Sequence, residues 1–432
     1  MNRIQRIKDL KQTLDRLQWQ TPEALLQIQD KKLKALVAHH ATNNAWYRDR
    51  LIAHGSSPRD IGRLNMAALP LIARQDIIVA GESFFSSNVP KSHGTVGESK
   101  SSGSTGEPVV VRCTDIVGLF FNVINCQETE WQKRDVKRRL SVVRASKDKT
   151  AIHDTWGSPT KELFGPTGPL QVINNNTDIR EMGKMISDFD TEILMCYPSV
   201  MMELIDYWLE TDTLPPLKHY KSIGETVTDR LRARVMEVFA LPVEDVFSSQ
   251  ELGTIAQQCD RGSYHTMDYN LIVEILDDKD RHVAPGQSGR VVVTDLHNFA
   301  SPLIRYDTGD WAVKGKSCAC GRGLATMERI QGRTRNLILR ADGTRYWPMV
   351  GMYNFHELSF RIRRYQVIQV DRETMEYHVV VDEPLDDAQM LELEQLARRA
   401  LGEEFRIQVK QHLQAWPEAP NHKREEFICR AV

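Results

Sequence analysis

The sequence predicts an α/β protein: a large N-terminal domain of layered β-sheets and helices, followed by a small α+β domain. The first observation is alternation. Short apolar runs at 140–143, 193–197 and 220–223 are interleaved with helical repeats over 115–131, 199–209 and 229–239, and a further strand pattern follows at 291–296. Strands separated by helices pair in parallel, so a mainly parallel sheet is expected. The second observation is a change of texture after Gly332. Strand patterns at 366–370 and 377–381, a helix over 387–401 and a strand at 405–409 make an α+β unit of about a hundred residues, an ordinary domain size. The expected domains are 1–332 and 333–432.

Composition narrows the class. The 432 residues are 41% hydrophobic and 26% charged, as in ordinary soluble proteins, and suffice for two or three domains. A net charge of −2 gives no general attraction to nucleic acid or to an anionic membrane. The N-terminus is polar (Arg3, Arg6, Lys8, Asp9) and lacks the apolar core of a signal peptide, and no apolar run is long enough to span a bilayer. The expected compartment is the cytoplasm, where the seven cysteines stay reduced or bind metal.

Taken in order, residues up to about Ala53 read as packing helices, with Ile4, Ile7, Leu10, Leu14 and Leu17 at helical spacing. Next comes SSGSTGEPVVV, 101–111, a loop feeding a strand. Gly103 and Gly106 permit tight turns, and Ser101, Ser102, Ser104 and Thr105 set hydroxyls beside backbone N–H groups. Such a loop is either a flexible connection or a phosphate cradle. In FSSQELG, 247–253, a strand pattern at 242–246 puts Ser248–Glu251 at a strand end, where open α/β sheets collect ligands. Glu251 there either caps a turn or offers an oxygen to Mg2+. LIRYDTGDW, 303–311, sets Asp307 and Asp310 around a Gly, which reads as a β-turn between strands or as carboxylates for a diol.

IQGRTRNLILRADGTRYWP, 330–348, joins the two textures and is a hinge candidate with Arg333 inside it and an Asp342–Gly343 hairpin. Near the C-terminus Lys423 precedes a last strand pattern. Four further residues have metal-ligand character: Cys259, His265, Cys318 and Cys320 are either reduced side chains in loops or a tetrahedral structural Zn2+ site. Cys113, Cys126, Cys196 and Cys429 lie in apolar patterns and read as core thiols. Candidate pocket segments are 120–131, 153–157 and 196–199, whose aromatics (Phe120, Phe121, Trp131, Trp156, Tyr197) suit an aromatic ligand or the core.

In this order, from about Leu69 to the C-terminus, the motifs resemble those of the adenylate-forming enzymes, and more narrowly of the phenylacetate–CoA ligase branch. SSGSTGEP is similar to the family's phosphate loop, SIGETVTDRLRARV (222–235) to its Gly-Glu segment and FSSQELG to its aromatic-Gly-x-Ser/Thr-Glu motif. RYDTGD is similar to its ribose motif, IQGR to its hinge entry, and CACGRG to a feature of this branch. The resemblance implies a carboxylic acid attacking the α-phosphate of ATP to give an acyl adenylate, then transfer to a thiol, usually of coenzyme A. Ser101, Ser102, Gly103, Ser104, Thr105 and Gly106 would cradle phosphates, with Ser249 and Gln250 also along the nucleotide. Glu251 would help bind Mg2+, Gly224 and Glu225 would lie along adenine and the acyl pocket, Asp310 would hold the ribose and Arg333 approach it. Lys423 would be the catalytic lysine, on a small C-terminal domain that is mobile between half-reactions. Tyr197, Pro198, Ser199 and Trp156 would line the acid pocket, probed best by aryl acids. Relatives with similarly placed cysteines bind structural zinc, and a homodimer is common among them.

The chain also departs from the family pattern. Glu107 stands where the phosphate loop usually has Lys, and a carboxylate cannot donate to phosphate, so part of any ATP affinity must come from elsewhere. Ser248 replaces a Gly, Arg335 and Asn336 replace acidic residues after the hinge, and His422 replaces the Gly before Lys423. Two other outcomes stay open: an adenylating enzyme whose acceptor is a carrier-protein thiol or an amine, and a nucleotide-binding pseudoenzyme.

Overall fold

The computed structural model describes residues 2–58, 61–100, 108–144, 150–333, 336–346, 358–360, 362–413 and 427–431. The chain divides into two compact units, one of residues 1–227 with 234–331, the other of residues 228–233 with 332–432.

The first unit opens with helices α1 (Arg3–Leu17), α2 (Pro22–Asn43) and α3 (Ala45–Ala53). Their starts are capped as the sequence dictates. Asn2 accepts from the Ile4 N–H at 3.2 Å, Thr21 from the Ala24 N–H at 3.3 Å, and Asn44 from the Tyr47 N–H at 2.7 Å. Of the N-terminal apolar stripe, Ile7 and Leu14 are buried, while Ile4 is exposed. The short α4 (Arg74–Ala80) follows, then strands β1 (Val96–Lys100) and β2 (Val110–Thr114), an antiparallel pair on either side of the Ser/Gly loop. Helix α5 (Asp115–Trp131) comes next.

The α/β alternation then runs through β3 (Leu140–Arg144), β4 (Ala151–His153), α6 (Thr160–Phe164), β5 (Leu170–Asn174), α7 (Ile179–Asp188), β6 (Ile193–Cys196), α8 (Pro198–Thr211), β7 (His219–Ser222) and α9 (Asp229–Phe239). It passes into β8 (Val243–Ser249), β9 (Gly253–Gln258), β10 (Tyr264–Thr266), β11 (Leu271–Leu276), β12 (Ser288–Asp295), β13 (Tyr306–Lys314) and β14 (Thr326–Arg333). Among the described residues twelve of these strands form one sheet, ordered β11-β12-β13-β14-β10-β9-β8-β7-β6-β3-β5-β4.

The expected mainly parallel sheet needs correcting. Strands β8, β7, β6, β3 and β5 do pair in parallel, through helical crossovers. From β8 onward, β9, β10 and β14 pair antiparallel, as do β11, β12 and β13. The cause is connection length. A parallel return needs a dozen or more residues, whereas β8 ends at Ser249 and β9 begins at Gly253.

A buried charge cluster fixes α5 to the parallel strands. Arg134 Nη1 donates to Glu128 at 2.7 Å and its Nε to Glu244 at 2.6 Å, while Lys221 Nζ donates to Glu128 at 2.8 Å. Burial favours protonation of Glu128, but Arg134 and Lys221 beside it hold its carboxyl down at about 2.

The second unit contains a short hairpin, β15 (Ile338–Leu339) with β16 (Arg345–Tyr346), turning at Gly343 with φ +84°. Strands β17 (Ile362–Gln369) and β18 (Thr374–Val381), helix α10 (Asp387–Leu401), β19 (Arg406–His412) and β20 (Phe427–Cys429) complete it. The sheet order is β19-β18-β17-β20, and Tyr377, Val379, Leu393, Ala397 and Phe405 form its core.

Candidate functional site

Three of the segments picked out in the sequence meet at one end of the sheet. Strands β6, β7 and β8 are parallel neighbours, so their C-terminal ends lie together. Tyr197–Ser199 leaves β6, Gly224–Glu225 leaves β7, and Ser249–Glu251 ends β8. The crevice beyond such strand ends is where α/β sheets hold ligands.

Gly224 has φ +75°, and a Cβ built there would stand 2.8 Å from Tyr197 Cε1, so the backbone packs directly on the Tyr197 ring. Glu225 reaches back to α8, which begins at Pro198 with no cap from Tyr197. It accepts from the Ser199 N–H at 3.0 Å and from the Ser199 hydroxyl at 3.0 Å. An acidic cap there satisfies open N–H groups and the positive helix end. Ser249 Oγ accepts from the Leu252 N–H at 3.1 Å and tightens the turn that carries Gln250 and Glu251.

Glu251 is 8% exposed, and Arg74 at the start of α4 places Nη1 3.7 Å from its Oε1. Two residues earlier, Ile72 bridges β13: its N–H donates to Arg305 O at 3.0 Å and its carbonyl accepts from the Asp307 N–H at 2.9 Å. Residues 69–74 thus link the Glu251 turn to the strand that carries Asp310. A second link joins this turn to the Ser/Gly loop, because Ser99 Oγ donates to Gln250 O at 3.0 Å, two residues before that loop begins. Neither Arg74 nor Ser99 was signalled by sequence, since each meets Glu251 or Gln250 only through long-range pairing.

The Asp-Thr-Gly-Asp stretch is a bulge inside β13 rather than a turn between strands. The register slips opposite Arg290 and Val292, and Gly309 takes φ +74°. Arg290 engages the Asp307 carboxylate, the Gly309 N–H donates to Asp307 Oδ1 at 3.0 Å, and the Asp310 N–H to Thr308 Oγ1 at 3.1 Å. The Asp307 carboxylate is thereby committed to the bulge. Arg333 ends β14 and its N–H donates to Asn336 Oδ1 at 3.0 Å within the second unit.

Other residues singled out in the sequence fall elsewhere. Trp156 does not join the crevice. Its Nε1 donates to Arg138 O at 3.1 Å, two residues before β3 begins, at the opposite end of the parallel strands. Phe120 packs in the core against His297, with ring centroids 3.9 Å apart. Phe121 does approach the crevice: a Cβ on Gly253 would be 3.1 Å from its ring. Ser101, Ser102, Gly103, Ser104, Thr105, Gly106, Glu107, Arg335, His422 and Lys423 lie outside the described residues.

A second centre lies on the antiparallel half of the sheet. Cys259 follows β9, His265 is in β10, and Cys318 and Cys320 precede β14; because β10 pairs with both β9 and β14, the four side chains converge. Their ligand atoms all lie within 4.8 Å of one another. Cys259 and Cys318 Sγ are 3.7 Å apart, and Cys320 Sγ is 3.3 Å from His265 Nε2. Thiolates on a tetrahedral zinc at its usual bond length of roughly 2.3 Å stand about 3.8 Å apart, so this donor set fits. Burial holds the His265 imidazole down at about 4, which leaves it neutral as a ligand must be. Trp131, one of the aromatics left open between pocket and core, is buried and meets His265 edge-on at 5.8 Å. The Arg322 guanidinium lies 4.1 Å from the Trp131 ring and 4.8 Å from that of Trp19.

No protein-family model matches the chain. Among curated proteins it is 26% identical to the phenylacetate–coenzyme A ligase of Thermus thermophilus over 338 residues, 73% of this chain and 72% of that protein. It is 25% identical to that of Pseudomonas putida over 348 residues, 76% of this chain and 74% of that protein. These relatives bear out the resemblance to the adenylate-forming enzymes, in the phenylacetate–coenzyme A ligase-like branch. Protein CapK of Staphylococcus aureus is a more distant relative, 21% identical over 295 residues, 66% of this chain and 62% of that one. Among solved structures the fold matches a 2-hydroxyisobutyryl-CoA ligase with TM-score 0.75 and 16% identity, over 96% of this chain and 91% of that one. In this chain the C-terminal ends of β6, β7 and β8 are the natural place to look for its chemistry.

Proposed function

We propose that the protein activates a carboxylic acid, an aryl acid in first instance, with ATP to give an acyl adenylate and pyrophosphate, then transfers the acyl group to the thiol of coenzyme A. The observation that carries this reading is the meeting of the Tyr197–Ser199, Gly224–Glu225 and Ser249–Glu251 segments at one set of strand ends, in a chain related over three quarters of its length to phenylacetate–coenzyme A ligases. Both Phe121 and Tyr197 offer aromatic faces beside that crevice.

Each residue has a job that its chemistry allows. The Ser/Gly loop supplies N–H and hydroxyl donors to the phosphates, Glu251 offers one carboxylate to Mg2+, and Asp310 accepts from the ribose hydroxyls. Mg2+, when bound with ATP, offsets charge on the phosphate oxygens. Arg333 and Lys423 come from the second unit, the mobile domain of this reading, with Lys423 stabilising charge that grows at the carboxylate and α-phosphate. Cys259, His265, Cys318 and Cys320 hold a structural zinc: four protein ligands leave no open position for catalysis. None of the seven cysteines is joined in a disulfide, which supports a cytoplasmic enzyme.

The test is ATP–pyrophosphate exchange across aryl, fatty and amino acids, followed by coenzyme A consumption with the best acid. Exchange with an aryl acid and stoichiometric loss of free thiol are expected. Pyrophosphate without thiol consumption moves the acceptor to a carrier protein or an amine, and exchange with no acid at all leaves only a nucleotide-binding pseudoenzyme.

A further inference from the structure

The imidazole of His265 has two nitrogens, and the Cys259–His265–Cys318–Cys320 centre uses one of them. Nε2 is turned to Cys320 Sγ at 3.3 Å, so Nε2 is the ligand atom and the proton of the neutral ring belongs on Nδ1. A ligating imidazole is held in place by giving that second N–H to an acceptor. His265 is fully buried, and its Nδ1 has no hydrogen-bond partner among the described residues. We propose that Gln257 is the positioning residue of this centre, its amide oxygen accepting the Nδ1 proton of His265 when Nε2 holds zinc; this rests on the zinc reading above.

The sheet brings the two side chains together. Gln257 of β9 stands directly opposite His265 of β10. Opposed residues of an antiparallel pair share a face with Cβ atoms about 5 Å apart, within reach of an amide and an imidazole. Gln257 is fully buried, and neither its Oε1 nor its Nε2 has a partner among the described residues. Its neighbour on the other side, Val246 of β8, is aliphatic. Thr326, across from His265 in β14, gives its hydroxyl proton to Lys316 O at 2.6 Å. The Leu324 carbonyl also bears on the His265 ring and favours its charged form, yet Nδ1 is not hydrogen-bonded to it.

A buried amide with neither atom paired is costly, and packing against Val246 alone would favour an apolar side chain at position 257. Trp131 meets the His265 ring edge-on at 5.8 Å, and its Nε1 is buried without a partner as well. Two buried N–H donors therefore accompany an amide oxygen that has two lone pairs to offer. Ligation fixes the proton on Nδ1 and gives the Gln257 oxygen a donor to turn to.

The experiment strips the full-length wild type, Gln257→Met and Gln257→Glu of metal and titrates each with Zn2+ against a chromophoric chelator. Each is also melted with and without zinc. Methionine keeps the length and drops the acceptor, so zinc affinity should fall about ten- to a hundredfold. The rise in Tm on adding zinc should shrink, while the metal-free melt is unchanged or improved, because an unpaired amide has gone. Glutamate keeps an oxygen at the same reach and should hold zinc within about threefold of the wild type. Gln257→Met loaded with Co2+ should also show shifted ligand-field bands, which a loss of packing away from the metal would not produce. Wild-type affinity in Gln257→Met overturns the proposal and leaves the structural zinc intact. Equal loss of affinity in both variants overturns it too and makes Gln257 a packing residue. A wild type that binds no zinc overturns the zinc reading as well.

Discussion

His40 on α2 is fully buried, and its two bonds fix its state. Nε2 donates to Asn298 O at 3.0 Å, so Nδ1 is the bare nitrogen that accepts from Ser86 Oγ at 3.0 Å. Burial pulls its pKa down to about 3, helped by nearby His39 and opposed by the Asn298 bond. In the unfolded chain the same ring binds a proton near its ordinary value of about 6.5, so between these values the unfolded state holds more protons. This contribution to stability is therefore full above about 6.5 and is lost as pH falls toward 3. Denaturant unfolding should show a loss of about 2 kcal/mol from pH 6.5 to pH 4.5, reduced in His40→Gln. Gly224 makes the second case. Alanine there keeps φ +75° only with strain and drives its Cβ into Tyr197. Gly224→Ala should cost about 1–3 kcal/mol in unfolding free energy and raise KM for the acid more than for ATP. The sequence drew attention to Gly224 through its place before Glu225. Its packing on Tyr197 was not legible, since the two residues follow different strands.

Among the elements, helices 115–131, 229–239 and 387–401 were readable to the residue, because apolar periodicity and acidic starts agree there. Strand direction after β8 was not, because the same apolar runs serve a parallel or an antiparallel sheet, and only the short connections choose. The loop at 318–322 shows a similar limit. The four candidate ligands Cys259, His265, Cys318 and Cys320 were visible as residue types, while what the loop holds in place was not. The Gly323 N–H donates to Gln18 O at 3.0 Å, Arg322 Nε donates to Gln18 Oε1 at 2.8 Å, and Arg322 lies between Trp19 and Trp131. The loop therefore staples the α1–α2 corner to the end of α5. Purified protein should contain stoichiometric zinc, and Cys318→Ser should lose it. Chelation should lower Tm by several degrees, change tryptophan fluorescence through Trp19 and Trp131, and speed proteolysis between α1 and α2. Zinc-free wild type with an unchanged melt would remove the metal from the account.

At the scale of the whole molecule the reaction divides in two, and so does the chain. Glu251 and Asp310 belong to the first unit, whereas Arg333 and Lys423 belong to the stretch 332–432. In the first half-reaction charge grows at the α-phosphate as the carboxylate attacks and pyrophosphate leaves, and on the proposed reading this is the charge that Lys423 meets. A positioned charge of this kind is worth about a hundredfold or more in rate. Lys423→Ala should therefore slow ATP–pyrophosphate exchange about a hundredfold or more. When the acyl adenylate is supplied ready-made with coenzyme A, thioester formation should fall far less, because that step has no pyrophosphate to expel. Glu251→Gln serves as the contrast. It removes the carboxylate proposed to bind Mg2+, so its exchange rate should recover in part at high Mg2+, whereas that of Lys423→Ala should not. If both variants lose both half-reactions equally, the two units do not divide the chemistry. Lys423 would then hold the fold together and not the transition state.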